Sequence, residues 1–228
     1  PRKVYETIKR AEKILQGGSS LGDGAMTGNG VSAGPAPGLK NEKNRIREEM
    51  LKARLSVPED VKCGADVIMT KKLLSLASFR YAGTILFYYP VKGEPDITGA
   101  VSAALAAGKR VAFPKCCPDG AGMIYRFVTS LDELSPAMYG IPEPPEENEC
   151  YVPSPFLNDI CIVPAVCFDR HGYRIGYGKG YYDRFLAEFG GTSVGFTLDC
   201  LLKDAVPRGR YDRAVDMIIT EKGAVVPK

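Results

Sequence analysis

Residues 174–183 read Arg-Ile-Gly-Tyr-Gly-Lys-Gly-Tyr-Tyr-Asp, the spacing of an anion cradle. Glycines at alternate positions, Gly176, Gly178 and Gly180, leave backbone N–H groups bare and free to take φ/ψ values closed to other residues, so the main chain can wrap a phosphate closely. Lys179 inside the run places a point charge on the same anion. The residues after Gly180 read as a helix whose N-terminus adds a positive dipole end. Asp183, in that first turn, would repel a phosphate unless a divalent cation lay between them, so Mg²⁺ follows from a nucleotide reading. A glycine-rich turn entering an ordinary helix would share the glycine spacing. The bases, adjacent tyrosines and acid gathered within the same few residues favour the cradle.

A second basic group lies upstream. At about 100° per residue, Lys43, Arg47 and Arg54 of a helix over residues 41–55 fall within roughly 40° of one another, between Ile46 and Met50 on one side and Leu51 and Leu55 on the other. A solvated charged face is one reading of such a stripe. The flanking apolar residues turn it toward the protein, where unpaired bases are costly and call for an anion such as phosphate.

These groups need a scaffold, and 228 residues can bury one sizeable core. A formal net charge of +3 is too small to draw nucleic acid or a membrane surface by bulk electrostatics. Seven cysteines include the adjacent Cys116 and Cys117, but with no C-x-x-C and one histidine neither a zinc site nor a disulfide framework is expected. Reduced thiols in a cytosolic protein fit that usage. No run has transmembrane length and the first residues lack the apolar core of a secretory signal, so a soluble, cytoplasmic chain is expected.

The expected organisation is an N-terminal extension, residues 1–38, followed by one α/β domain, residues 39–228. Val4, Ile8, Ala11 and Leu15 have the spacing of a short amphipathic helix, and residues 17–38, rich in Gly, Ser, Ala and Pro, read as a flexible linker. Ser56-Val57-Pro58-Glu59 carries a capping-box pattern that opens a helix to about Ala77. An apolar run from Thr84 reads as a buried strand, and residues 91–96 leave its carboxyl end, where open α/β sheets place their sites. A helix over about 96–107 stops at Gly108, and strands follow at 110–113 and 124–128. The proline-dense, acidic residues 139–155 read as an extended surface loop. A strand at 160–163 and a polar turn at 169–172 precede the glycine run, with His171 as an exposed turn residue. Late strands fall at 193–196 and 217–220, with Asp212 and Asp216 just before the last.

Taken together, these residues resemble the 5-formyltetrahydrofolate cyclo-ligase family, also called methenyltetrahydrofolate synthetases. Its R-x-G-x-G-x-G-Y-Y-D signature is matched without a break from Arg174 to Asp183. The same order of blocks is present: a K-x-x-x-R helix at Lys43 and Arg47, an E-x-D segment at Glu94 and Asp96, a G-I-P-x-P loop from Gly140 to Pro144, and a D-x-x-x-D pair at Asp212 and Asp216. The chain departs from the family pattern in placing Ile97, rather than threonine, directly after the E-x-D segment, and Pro95 within it.

The resemblance implies a single three-layer α/β/α domain around a mainly parallel sheet. It implies ATP- and Mg²⁺-dependent conversion of 5-formyltetrahydrofolate to 5,10-methenyltetrahydrofolate, ADP and phosphate. Position by position, Lys43 and Arg47 would hold ATP phosphates; Arg174, Gly176, Gly178, Lys179, Gly180, Tyr181 and Tyr182 would form the nucleotide loop. Lys179 would neutralise the transferring phosphoryl group, and Tyr181 would lie where nucleotide and folate meet. Tyr89, Glu94 and Tyr139 match the folate side, and Asp183 and Asp216 the Mg²⁺ carboxylates. Without the resemblance, Asp216 would read as a strand-entry turn or salt bridge and Tyr139 as packing. A monomer acting on a small molecule, without nucleic acid or membrane, is expected. A paralogous ATP-dependent enzyme with another acceptor, or a non-catalytic nucleotide- or RNA-binding module, would be the alternatives.

Overall fold

A computed structural model describes residues 37–227, apart from 119, 121 and 154–157. The amphipathic helix expected at 2–16 and nearly all of the linker lie outside the described residues.

Alternation of apolar side chains with period two builds the centre. Strands β1 (Thr84–Leu86), β2 (Arg110–Cys116), β3 (Met123–Val128), β6 (Ile160–Val163), β9 (Thr192–Phe196), β11 (Met217–Ile219) and β12 (Ala224–Val225) form one sheet in the order β12-β11-β9-β6-β1-β2-β3. Its five central strands are parallel and its two edges antiparallel. Ile85 registers with Val111 on one side and Ile160 on the other, and these three face the same layer. Against that layer pack α1 (Pro37–Leu55) through Ile46 and Met50, α2 (Glu59–Ser75) through Met69 and Leu73, α3 (Ala77–Tyr81) through Phe79, and α4 (Thr98–Ala106) through Val101. The alternate residues Leu86, Ala112, Cys161 and Ile218 face the other side, where α5 (Tyr181–Glu188) lays Phe185 and Leu186. Helices thus cover both faces of a mainly parallel sheet, the α/β domain expected from the sequence. No helix among the described residues is long and apolar enough to cross a membrane.

A smaller sheet carries the glycine run. After β6 the chain folds back as β7 (Cys167–Asp169), which pairs with β8 (Arg174–Ile175) and β10 (Leu202–Lys203). β7 lies so close to the large sheet that a Cβ on Gly195 would sit 2.6 Å from the Phe168 ring. Buried Asp169 closes the turn between β7 and β8, accepting from the backbone N–H of His171 and Tyr173, each at 2.9 Å, while His171 is exposed as expected. β8 then releases the chain directly into Gly176.

Three local expectations need correction. The Ser56 capping box does not form: Ser56 Oγ donates to Ala53 O at 2.8 Å and closes α1, while α2 begins after Pro58 with no side-chain cap. The same pattern does form a box at Ser130 and Glu133. The helix expected to reach Ala77 ends at Ser75, because Leu76 is extended (φ −61°, ψ 136°) and starts α3 instead. Residues 139–155 are not loop throughout: β5 (Pro142–Glu143) pairs with β4 (Ser135–Pro136), which sinks Glu143 to 4% exposure rather than leaving it on a surface loop.

Candidate functional site

The glycine run sits at the carboxyl end of β6, held there because Val166 N donates to Ile175 O at 2.7 Å. Gly178 (φ +90°) and Gly180 (φ +66°) take the left-handed conformation that the run's composition allows. Arg47 lies against it: Nε donates to Gly176 O at 2.6 Å, and a Cβ on Gly178 would come 3.4 Å from Nη2. A side chain at 178 would fill the space between loop and guanidinium. Asn44 Oδ1 accepts from Arg47 as well, and burial lowers the Arg47 pKa from its usual value. Lys43, one turn earlier, is paired with Asp212, whose Oδ2 also accepts from Gly209 N at 2.7 Å.

Beyond the loop, α5 starts from the left-handed Gly180 with no side chain capping its first turn. Its amides are therefore open to an external acceptor. Lys179 is exposed, with Nζ 5.9 Å from the centre of the Tyr139 ring. Desolvation, followed by the neighbouring Tyr139 hydroxyl, pushes the Tyr181 hydroxyl up to about 12. Tyr139 holds φ +59°, a conformation uncommon for a non-glycine residue, so the backbone is constrained where its ring meets the loop. Tyr182 turns inward to the hydroxyl of Tyr125 at 3.4 Å.

The carboxylates are arranged differently. Asp183 Oδ1 accepts from Arg174 Nη2 at 2.8 Å and from Arg213 N at 3.2 Å. Arg174, itself 8% exposed, also donates to Arg213 O at 2.7 Å, so one guanidinium joins β8, α5 and the segment before β11. Asp216 Oδ2 accepts from Ser193 N at 2.8 Å and Oγ at 2.6 Å, and the residue lines a shallow groove with Asp212 and Arg213. Each carboxylate thus uses one oxygen within the protein. Hard carboxylate oxygens suit Mg²⁺, which takes one or two protein carboxylates and fills its remaining positions with phosphate and water. Among the described residues no group of three or more acidic, cysteine or histidine side chains forms an all-protein metal cage.

On the other flank, the loop after β1 carries Tyr89, which packs on the core, and Glu94, which is 3% exposed. Glu94 Oε2 accepts from Val91 N at 3.1 Å; Oε1 has no hydrogen-bond partner among the described residues and faces Arg54 Nη1 at 3.9 Å. Burial raises the Glu94 carboxyl to about 7, against the opposing pull of Arg54, the Val91 amide and Tyr177. The departures from the family pattern are absorbed locally. Pro95 O accepts from Tyr88 at 2.8 Å, Ile97 is 1% exposed in the core, and Thr98 Oγ1 and N both donate to Asp96 Oδ1.

A family model described as the 5-formyltetrahydrofolate cyclo-ligase family matches residues 39–221. The chain belongs to this family. A relative from Mycolicibacterium smegmatis called 5-formyltetrahydrofolate cyclo-ligase is 32% identical over 196 residues, covering 81% of this chain and 96% of its own. The solved structure of Aquifex aeolicus 5,10-methenyltetrahydrofolate synthetase superposes with a TM-score of 0.71 at 32% identity, covering 81% and 92%. That of the Mycoplasma pneumoniae 5,10-methenyltetrahydrofolate synthetase shares the fold, with a TM-score of 0.64 at 23% identity over 79% and 99%.

In this cyclo-ligase chain, the sequence-expected residues fall into three groups. Arg47 joins the glycine loop, Tyr139 joins Tyr181 and Lys179, and Asp183 joins Arg174. Lys43 and Asp216 are each engaged elsewhere, with Asp212 and Ser193. Tyr177 has no role of its own in the sequence pattern, yet its hydroxyl lies 3.5 Å from Arg54 Nη1, beside Glu94. Alternation with glycine hid its inward direction. Arg54, grouped with Lys43 and Arg47 on the basic stripe, reaches no open surface: Nη2 donates to Val166 O at 2.6 Å and to Ala165 O. The apolar flanks of the stripe give no graded signal of this depth, since Ile46 and Met50 are buried while Leu55, beside Arg54, is exposed.

Proposed function

We propose that the protein converts 5-formyltetrahydrofolate to 5,10-methenyltetrahydrofolate with consumption of ATP, in the presence of Mg²⁺, releasing ADP and phosphate. The observation that supports this best is the meeting, at the carboxyl end of one parallel sheet, of a glycine loop bordered by Arg47 and a loop carrying Tyr89 and buried Glu94. The family membership above agrees with it. Amide-like formyl oxygen is a poor leaving group. A lone pair on that oxygen forms a bond to the γ-phosphorus as the bond from phosphorus to the bridging oxygen breaks, giving ADP. N10 then adds to the activated carbon and loses its proton, and the C–O bond breaks with departure of phosphate, closing the ring.

This sequence of bond changes asks the protein for positioning and charge stabilisation rather than a covalent nucleophile. Lys43 and Arg47 would hold phosphates, with Gly176, Gly178, Gly180, Tyr181 and Tyr182 shaping the loop around them. Lys179, exposed on a left-handed turn, has the freedom to follow the transferring group. Arg174 fixes Asp183 through one oxygen. Asp183 and Asp216 would hold Mg²⁺, which when bound neutralises charge building on the phosphates. Tyr181 keeps its proton at neutral pH and can donate to ligand oxygen. Tyr89, Tyr139 and Glu94 would receive the folate.

The test is absorbance in the methenyl band on mixing protein, 5-formyltetrahydrofolate and Mg-ATP. A rise that needs all three is expected. No rise, with Mg-ATP binding still seen by calorimetry, would overturn the substrate and leave a nucleotide-dependent enzyme with another acceptor.

A further inference from the structure

Arg54 is buried, with 2% of its side chain exposed, and its partners belong to separate segments. Nη2 ties α1 to the carbonyls of Ala165 and Val166, in the turn between β6 and β7. Nη1 faces the Tyr177 hydroxyl of the glycine loop at 3.5 Å and Glu94 Oε1 at 3.9 Å. The stem of the same side chain supports the Glu94 loop from beneath. Gly93, at φ +72°, leaves only enough room that a Cβ would meet Arg54 Cγ at 3.5 Å and Cδ at 3.6 Å. The turn above it is tight: Glu94 N donates to Val91 O at 2.9 Å, and Lys92 holds φ +50° with its Nζ 5.2 Å from the centre of the Tyr177 ring. Two buried polar atoms here, Arg54 Nε and Glu94 Oε1, have no hydrogen-bond partner among the described residues.

We propose that Arg54 is a positioning residue that sets Glu94 and, through the Tyr177 hydroxyl, couples the glycine loop to the Glu94 loop. The first half rests on geometry alone; the second rests on the nucleotide reading given above. Because one guanidinium contacts both loops, any shift of the glycine loop that moves the Tyr177 hydroxyl changes the field at Glu94. Coupling of this kind is reciprocal, so occupancy of either side must alter acceptance at the other. The charged and titratable groups acting on Glu94 or sensing it are Arg54 from α1, Lys92 from its own loop, Tyr88 after β1, and Tyr177 and Tyr182 from the glycine-loop side. Arg54 and Tyr177 both favour the charged form of Glu94, against desolvation.

The test follows the Glu94 carboxyl carbon by NMR against pH in glutamate-labelled protein, with the resonance assigned by its loss in Glu94→Gln. A midpoint near 7 is expected for the wild-type chain. Tyr177→Phe keeps the ring and should raise the midpoint by at least about half a pH unit, and Arg54→Lys, which shortens the reach of the charge, by more. Adding a non-hydrolysable ATP analogue should move the wild-type midpoint and leave that of Tyr177→Phe where it was. An unmoved midpoint in folded Arg54→Lys overturns the positioning role, and an unmoved midpoint in Tyr177→Phe overturns the link through the Tyr177 hydroxyl. An analogue that binds the wild-type chain without moving the midpoint overturns the coupling. An analogue that does not bind at all removes the nucleotide reading, and with it the coupling half, while the variant midpoints still decide the positioning half. No folate enters the measurement, so its result stands apart from the substrate assignment.

Discussion

Lys43 and Arg54 share one stripe on one helix and sit in opposite surroundings. Lys43, with 19% of its side chain exposed, holds a carboxylate that is itself 20% exposed; Arg54, at 2%, holds two backbone carbonyls and faces a carboxyl at 3%. Arg47 lies between them, tied to one loop carbonyl and one exposed asparagine. A cation whose partners reach solvent can exchange them for an incoming phosphate at small cost, since water and counterions already compete for the pair. A buried one cannot, because each partner it abandons is stranded without a hydrogen bond. On the function proposed above, burial, rather than charge or angular position, separates bases free to meet a ligand from architectural ones on this helix.

The largest expected effect is at the buried end. Arg54→Met should lower stability by about 3–5 kcal/mol above neutral pH, read from urea unfolding, because it strands the Ala165 and Val166 carbonyls and leaves Glu94, once ionised, as an uncompensated buried carboxylate. The pH dependence has a definite sign. With its folded pKa raised to about 7, Glu94 contributes stability below its unfolded value that is lost as pH rises through 7. Removing Arg54 raises that folded pKa further, so the loss continues above 7 and the deficit of the variant must widen toward alkaline pH. A deficit independent of pH would mean that the carbonyl contacts carry the whole effect.

At the exposed end the cost should fall on catalysis. Lys179→Ala should lower kcat by about 10²–10³-fold, the scale for removing one group that stabilises transition-state charge, while its unfolding midpoint stays close to that of the wild-type chain. A comparable loss of stability would place Lys179 among the architectural bases and erase the contrast.

Much of this division was open to the sequence and part of it was not. Glycine spacing gave the loop its conformation because φ above zero at 178 and 180 is a local property. Strands were legible because β-rich apolar runs such as residues 160–163 are set by short-range alternation and composition. Direction within a site is a tertiary property, and there the reading stopped: nothing in the pattern marked Tyr177 as facing inward, and Arg54 looked like a phosphate ligand. The two S-x-x-E segments show the same limit. Ser130 and Glu133 form their box, whereas the hydroxyl of Ser56 is taken by the carbonyl of the helix it follows. Motif and propensity are alike in both; what the preceding chain leaves unpaired decides the outcome.

The smallest effect sharpens the contrast from the exposed side. Lys43→Ala removes an ion pair whose members are each about one-fifth exposed, and whose carboxylate keeps the Gly209 amide as a partner at 2.7 Å. The loss of stability should therefore stay below about 1 kcal/mol. The role proposed for it in holding a phosphate predicts a rise of roughly tenfold in KM for ATP with little change in KM for the folate, equivalent to about 1.4 kcal/mol of binding. Added salt should narrow the difference between variant and wild type, because screening weakens the partly exposed contact in the parent and leaves the variant with less to lose. If KM for ATP is unchanged while stability falls by several kcal/mol, the Lys43–Asp212 pair is a strut between α1 and the segment before β11, and only Arg47 and Lys179 remain to meet the phosphates.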